Sequence, residues 1–117
     1  MDIYMSILKN LGSTYQTELC LKAFKTLANP DRFNIALWLL EPKKNFFSEK
    51  IDIEKEGVTI NMIMQKLDLS QSVTSQHIQQ LQEAGIITCE RKAQFRMCKL
   101  NKTYTRQMFE SIADMFQ

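Results

Sequence analysis

The chain has 117 residues, a formal net charge of +2, and 44% apolar and 24% charged side chains, which is the length and composition of one globular domain rather than of a disordered or fibrous chain. Its three glycines are widely separated, which excludes a glycine-rich phosphate loop. The small net charge does not advertise a nucleic-acid binder, so any such reading must rest on where the charges lie.

Ile3, Ile7, Leu8 and Leu11 fall at helical spacing within residues 2–11, and the pattern breaks at Gly12-Ser13. A second helix is expected from about Thr14 to Ala28, with Cys20, Phe24 and Leu27 at i, i+4 and i+7. Asn29-Pro30 marks the next boundary, because Asn29 can cap and Pro30 fits a first helical position whose N–H would be unpaired anyway. The third helix runs to about Leu40, with Phe33, Leu37 and Leu40 facing inward and Ile35, Trp38 and Leu39 widening the stripe. A face this broad implies burial from two sides. Glu41 to Val58 has no clear period and reads as a loop with a short strand at Val58-Thr59-Ile60. From Thr59, a candidate cap, Ile60, Ile63, Met64 and Leu67 repeat at i, i+3, i+4 and i+7, and this helix ends at the turn Leu67-Asp68-Leu69.

The next helix carries the chemistry. Ser70 is a plausible N-cap and Gly85 a plausible stop. Between them Val73, His77, Leu81 and Ala84 form one stripe, with Ile78 at its edge, and Ser72, Ser75, Gln76 and Gln79 lie opposite. No Lys or Arg occurs between Ser70 and Ala84, whereas an ordinary solvated face would carry charges. Gln and Ser side chains can both donate to and accept from base edges in a major groove. Two helices, a tight turn and a polar second helix describe a helix-turn-helix. His77, on the inner stripe, reads as a structural histidine.

After Gly85 the period falls to two. Ile87, Cys89 and Arg91 alternate with Thr88 and Glu90, and beyond the Lys92-Ala93-Gln94-Phe95 turn come Arg96, Cys98 and Leu100. A symmetric turn sets Ile87 opposite Leu100 and Cys89 opposite Cys98, giving a β-hairpin wing with Arg91, Lys92 and Arg96 near its tip. Thr103 to Phe116 closes the chain as an amphipathic helix, with Tyr104, Met108, Ile112 and Met115 on one stripe and Phe109 and Phe116 nearby. That stripe needs a partner surface, either the N-terminal helix or a second subunit.

Several segments together resemble the ArsR/SmtB (arsenic-repressor-type) family. Phe24-Lys25-Thr26-Leu27-Ala28-Asn29-Pro30-Asp31-Arg32 is similar to its "FKALADPTR" segment, and Leu69 to Ile78 to its "LSQSTVSHHL". Glu83-Ala84-Gly85-Ile86-Ile87 and Leu100-Asn101 are similar to its "EAGLV" and to the "LN" that closes the wing. The resemblance spans about residues 20–102. It implies a homodimeric winged-helix repressor on an operator of imperfect dyad symmetry, dimerised through terminal helices and released by an inducer. Two departures stand out. Asn45 to Lys55 looks longer than the family's usual connection. The family's metal sensors carry a cysteine motif in the support helix or Asp and His ligands on the last helix. Here the first position reads Thr59-Ile60-Asn61-Met62-Ile63-Met64, and Thr103 to Phe116 contains no His.

The expected architecture is therefore mainly α with a small β-hairpin. It is a single winged helix-turn-helix domain over 1–117, with dimerisation helices at 1–28 and 103–117, the helix-turn-helix at 59–85 and the wing at 86–101. The expected function is a sequence-specific, DNA-binding transcriptional regulator, a homodimeric repressor of a double-stranded operator released by a non-metal signal. Candidate DNA contacts are Gln71, Ser72, Thr74, Ser75, Gln76 and Gln79 on the helix, and Arg91, Lys92 and Arg96 on the wing. Lys43, Lys44, Lys66 and Lys102 are weaker phosphate candidates. One alternative is thiol-based redox sensing by Cys89 and Cys98, against the bland reading of two small core residues; another is a winged-helix module that binds protein instead of DNA. No cofactor, metal or catalytic site is expected: Cys20, Cys89 and Cys98 lack zinc-ligand spacing, and one histidine without paired carboxylates leaves no catalytic set. A small-molecule inducer would have to lodge between the terminal helices and Phe24, Phe33 or Trp38. Three cysteines without a close pair, no leader-like start and no membrane-length apolar run point to a cytoplasmic protein with no membrane partner.

Overall fold

A computed structural model describes residues 13–117; the expected helix at residues 2–11 lies outside them. The described chain runs α1 (Ser13–Leu27), α2 (Pro30–Leu40), α3 (Pro42–Asn45), α4 (Ile53–Glu56), β1 (Val58–Thr59), α5 (Ile60–Leu67), α6 (Gln71–Glu83), β2 (Ile87–Lys92), β3 (Phe95–Leu100) and α7 (Lys102–Met115). This is a mainly helical winged helix-turn-helix, with α5 and α6 as the two helices of the motif. No described helix is long and apolar enough to cross a membrane.

Capping sets most boundaries. Asn29 Oδ1 accepts from Arg32 N at 3.1 Å, Thr59 Oγ1 from Met62 N at 3.1 Å, and Ser70 Oγ from Val73 N at 3.2 Å. Each bond satisfies one of the donors that a helix start leaves unpaired. At the far ends, Asp68 (φ 57) closes α5 and Gly85 (φ 77) follows α6, both in the left-handed conformation that stops a helix.

Periodicity located the helices but misjudged which side faces in. In α1 the buried residues are Cys20, Ala23 and Thr26, and Phe24 is 48% exposed. In α2 the core takes Ile35 (0%) and Leu39 (3%), whereas Phe33, Leu37 and Leu40, expected inside, remain nearly half exposed. The reason is that α2 is apolar almost all round, so spacing alone cannot rank its faces. The side that meets α6 and the sheet becomes core, and the other is left as an apolar surface.

Glu41 to Gly57 is more ordered than a loop. It contains two single helical turns, the second capped by Asp52 accepting from Lys55 N at 3.2 Å and buried through Ile53. One turn is too short to show a period. Phe46 meets Trp38 edge-on at 6.2 Å, and Lys66 Nζ sits 5.0 Å from the Trp38 ring centre, a cation–π arrangement.

The wing has three antiparallel strands in the order β1-β3-β2 rather than a bare hairpin. Val58 pairs with Cys98 and Thr59 with Met97. The hairpin register agrees with the symmetric-turn expectation, since Ile87 pairs with Leu100 and Cys89 with Cys98. Its two-residue loop places Ala93 at φ 56, as primed hairpin turns require of a central residue. Gly57, at φ 93, lets β1 enter the sheet. A Cβ there would lie 2.5 Å from the Cys98 carbonyl oxygen, so any other residue would force β1 off β3.

Candidate nucleic-acid interface

The recognition helix α6 buries Thr74, Ile78 and Leu81, at i, i+4 and i+7, against the core that contains Ile35 and Ile63. The expected stripe through Val73 and His77 is thus rotated by roughly 70° at about 100° per residue. Val73 is 39% exposed, and Thr74, a candidate DNA contact, is 0% exposed. Thr74 cannot reach a duplex from there. Its hydroxyl has no hydrogen-bond partner among the described residues, and a buried polar group left so costs about 1–3 kcal/mol. Thr74→Val is therefore expected to raise stability by about 1 kcal/mol and leave DNA affinity unchanged, which thermal denaturation and a binding titration would check together.

Gln71, Ser72, Ser75, Gln76 and Gln79 are all exposed. Gln79 donates from Nε2 to Glu83 Oε1 at 3.1 Å, one turn along. Gln71 and Ser75 stand beside the wing tip. Together with Asn61 of α5 and Gln94, Phe95 and Arg96 of the wing they line one cleft of about 370 Å³. Asn61 and Gln94 were not singled out from the sequence. Their signal was only position, since one follows a helix cap and the other sits in the hairpin turn.

The three basic wing residues divide between two faces. Arg91 pairs directly with Arg96 across the hairpin. By strand alternation this pair shares the face of Cys89 and Cys98. Arg96 donates to Gln82 Oε1 of α6 at 3.4 Å, so that face is the one beside the recognition helix. Like charges directly opposite one another destabilise a hairpin, and no acid pairs with either arginine among the described residues. An anion lying along the wing would relieve that repulsion. Lys92 instead forms an ion pair and hydrogen bond with Glu56, away from α6. The lesser candidates are scattered: Lys44 pairs with Glu41 at 2.6 Å, Lys43 with Glu54 at 3.7 Å, and Lys66 covers Trp38.

One anchoring group escaped the sequence reading. Arg32 donates from Nε to the Thr26 carbonyl at 2.7 Å and from Nη1 to His77 Nδ1 at 3.2 Å, while His77 Nε2 lies 3.7 Å from Asp31 Oδ2. Accepting at Nδ1 assigns the neutral ring its proton at Nε2, facing Asp31. The recognition helix is thereby tied to the end of α1 and the start of α2. His77 is a structural residue, as expected, but its partners lie 45 and 46 positions away, where no local pattern reveals them.

Cys89 and Cys98 are free thiols at directly opposed positions of the hairpin. The Cys98 thiol across the hairpin holds Cys89 below the ordinary thiol range, opposed by burial and assisted by Arg96. Cys89 and burial in turn push Cys98 up. Cys20 is buried apart from them, and burial raises its thiol as well. Among the described residues no group of three or more His, Cys, Asp or Glu side chains is arranged to hold a metal ion.

Comparison with known proteins agrees with this geometry. The sequence model of bacterial regulatory proteins of the arsR family matches residues 54–88, which contain the helix-turn-helix. An uncharacterised HTH-type transcriptional regulator of Bacillus subtilis (strain 168), YbzH, is 38% identical over 80 residues, spanning 68% of this chain and 80% of the relative. Among solved structures, HlyU from Vibrio cholerae N16961 superposes with a TM-score of 0.60 at 24% identity, over 86% of this chain and 94% of that one. The transcriptional regulator HlyU from Vibrio vulnificus CMCP6 gives 0.53 at 20% identity, over 95% and 98%. At those identities the two structures speak for the fold alone.

Proposed function

This chain belongs to the ArsR family of bacterial helix-turn-helix transcriptional regulators, and from that premise we propose that it works as a homodimeric repressor of an imperfectly palindromic operator, released by a signal other than a metal. The observation that carries the reading is the exposed amide and hydroxyl face of α6, which shares a cleft with Arg96 of the wing. In a dimer the two α6 helices would enter successive major grooves about 34 Å apart. Gln71, Ser72, Ser75, Gln76 and Gln79 would read base edges, while Arg91 and Arg96 hold phosphates. The nearly half-exposed Phe33, Leu37 and Leu40 of α2 and Phe109 of α7 support dimerisation, since monomers rarely leave large contiguous apolar patches in water. The absence of family metal-ligand motifs from the support helix and last helix supports a non-metal signal.

The test is fluorescence anisotropy with DNA selected from a random pool, at several salt concentrations. Affinity should fall steeply with salt, and replacing Arg91 and Arg96 together by Gln should lower the slope by about two units if each neutralises one phosphate. No binding even at low salt would overturn the reading.

A second reading, control by thiol oxidation, is favoured by the directly opposed cross-strand pair Cys89 and Cys98. Oxidation would join the two sulfurs, sending two electrons and two protons to an oxidant such as diamide. Opposed strand residues hold their Cβ atoms about 4.5–5.5 Å apart, against about 3.5–4.5 Å across a disulfide, so closure would draw the wing strands together. Because the Cys89 pKa is lowered, iodoacetamide should label Cys89 at a lower pH than an ordinary thiol, while Cys98 stays unlabelled until the protein unfolds. Loss of DNA binding with diamide that persists in Cys89→Ser would eliminate this reading.

A further inference from the structure

His77 is the one histidine of the chain, and its ring sits where the recognition helix meets the corner between α1 and α2. Its side chain is 12% exposed, and protein groups stand at both ring nitrogens. Arg32 Nη1 donates to Nδ1 at 3.2 Å, and Asp31 Oδ2 lies 3.7 Å from Nε2. Arg32 is itself fixed, because its Nε donates to the Thr26 carbonyl at 2.7 Å, one of the carbonyls that the end of α1 leaves without a helical partner. In the segment similar to "FKALADPTR", Asp31 stands where that pattern has Thr, so the acid at the ring is this chain's own.

Histidine is the side chain that exchanges a proton between about pH 5 and 8. A protonated ring donates at both nitrogens. Nδ1–H would then face the Arg32 N–H across the present hydrogen bond, donor against donor and cation against cation. Asp31 pulls the other way. Its side chain is 43% exposed and its oxygen lies beyond hydrogen-bond distance of Nε2, so solvent screens that attraction. The Arg32 contact is direct and decides the outcome. Arg32 cannot retreat without releasing Thr26, so the displacement falls on the ring and on α6.

Other charges on the surrounding elements are solvated or otherwise held. Glu18, Lys22 and Lys25 of α1, Asp68 of the turn before α6, and Glu90 and Arg91 of β2 are exposed. Lys66 of α5 covers the Trp38 and Phe46 rings, and Arg96 of β3 reaches Gln82. On α6 itself, Glu83 accepts from Gln79. Among the described residues, Asp31 is the acid within ion-pair distance of the ring.

We propose that Arg32 and His77 form a proton-sensitive clasp that positions the recognition helix, so that protonating His77 releases α6 and weakens operator binding. This effect on DNA requires that α6 read bases, as proposed above, and its sign is diagnostic. A positive charge added to a DNA-binding surface ordinarily strengthens its hold on phosphates; here the added proton loosens the reading helix instead.

The experiment measures anisotropy with a selected operator and with an unrelated duplex, at fixed ionic strength, at about pH 7.5 and about pH 5.5, on either side of histidine's ordinary titration. Wild-type affinity for the operator should fall about tenfold at the lower pH, within the limit of tenfold per pH unit that a single proton allows. Affinity for the unrelated duplex, held through phosphates, should not fall. His77→Asn offers Arg32 a neutral acceptor at similar helix propensity and should keep operator affinity level between the two pH values. Arg32→Gln should flatten the profile as well, at an affinity about tenfold below wild type at the higher pH. Cys89→Ser should follow the wild type, since the thiol takes no part. Should one of the clasp variants fail to fold by circular dichroism, the other provides the same comparison. Hydrogen exchange of the full chain without DNA gives a second readout. Protection of the α6 amides should fall about tenfold at the lower pH in wild type and stay level in His77→Asn. That readout stands even if no duplex is bound, so failure of the DNA reading and failure of the clasp are distinguishable. A flat or rising wild-type operator profile, an acid loss that persists in His77→Asn or vanishes in Cys89→Ser, or unchanged α6 protection overturns the clasp.

Discussion

Replacing Ser75 and Gln76 together with alanine is expected to lower operator affinity about a hundredfold without harming the fold, because two base-edge contacts of about 1–3 kcal/mol each disappear and each 1.4 kcal/mol is tenfold. Both side chains are exposed on α6, and the buried contacts of the helix run through Thr74, Ile78 and Leu81 instead. Alanine is also the better helix former. The melting temperature should therefore stay level or rise slightly while binding collapses, and that split separates a reading surface from a packing surface. Anisotropy at fixed salt alongside circular dichroism measures both. Undiminished affinity would remove α6 from the interface; retained partner binding without any DNA affinity would instead favour a protein-interaction module.

The second large effect concerns assembly. Leu37 and Phe109 are 46% and 50% exposed and line one apolar cavity of about 410 Å³ together with Phe33 and Leu40. Changing both to Glu places charges where a partner subunit would seat, yet disturbs little of the protomer, because both already reach solvent. Sedimentation should then show a monomer. Operator affinity should fall by about a thousandfold, since joining two half-site readers multiplies affinity by roughly 10²–10⁴. A dimer that survives both substitutions would place the subunit contact on another surface. The same apolar cavity lies where part of the expected inducer site was sought: Phe33 lines it, but Phe24 and Trp38 do not.

What the sequence determined by itself was local. The caps Asn29, Thr59 and Ser70, the stop at Gly85 and the change of period after it are short-range signals, and each corresponds to a bond or angle in the fold. Hairpin register was legible for the same reason, because a two-residue turn sets every later pair. Tertiary structure decided the orientations. In α2, apolar on most sides, and in α6, polar on most sides, no residue pattern ranked one face over another. Contact with the rest of the core chose Ile35 over Phe33 and Thr74 over Val73. Tertiary structure also decided the long-range pairings: Arg32 and Asp31 on His77, Glu56 on Lys92, and β1 alongside β3. These join residues far apart in the chain, and only the closed fold brings them together.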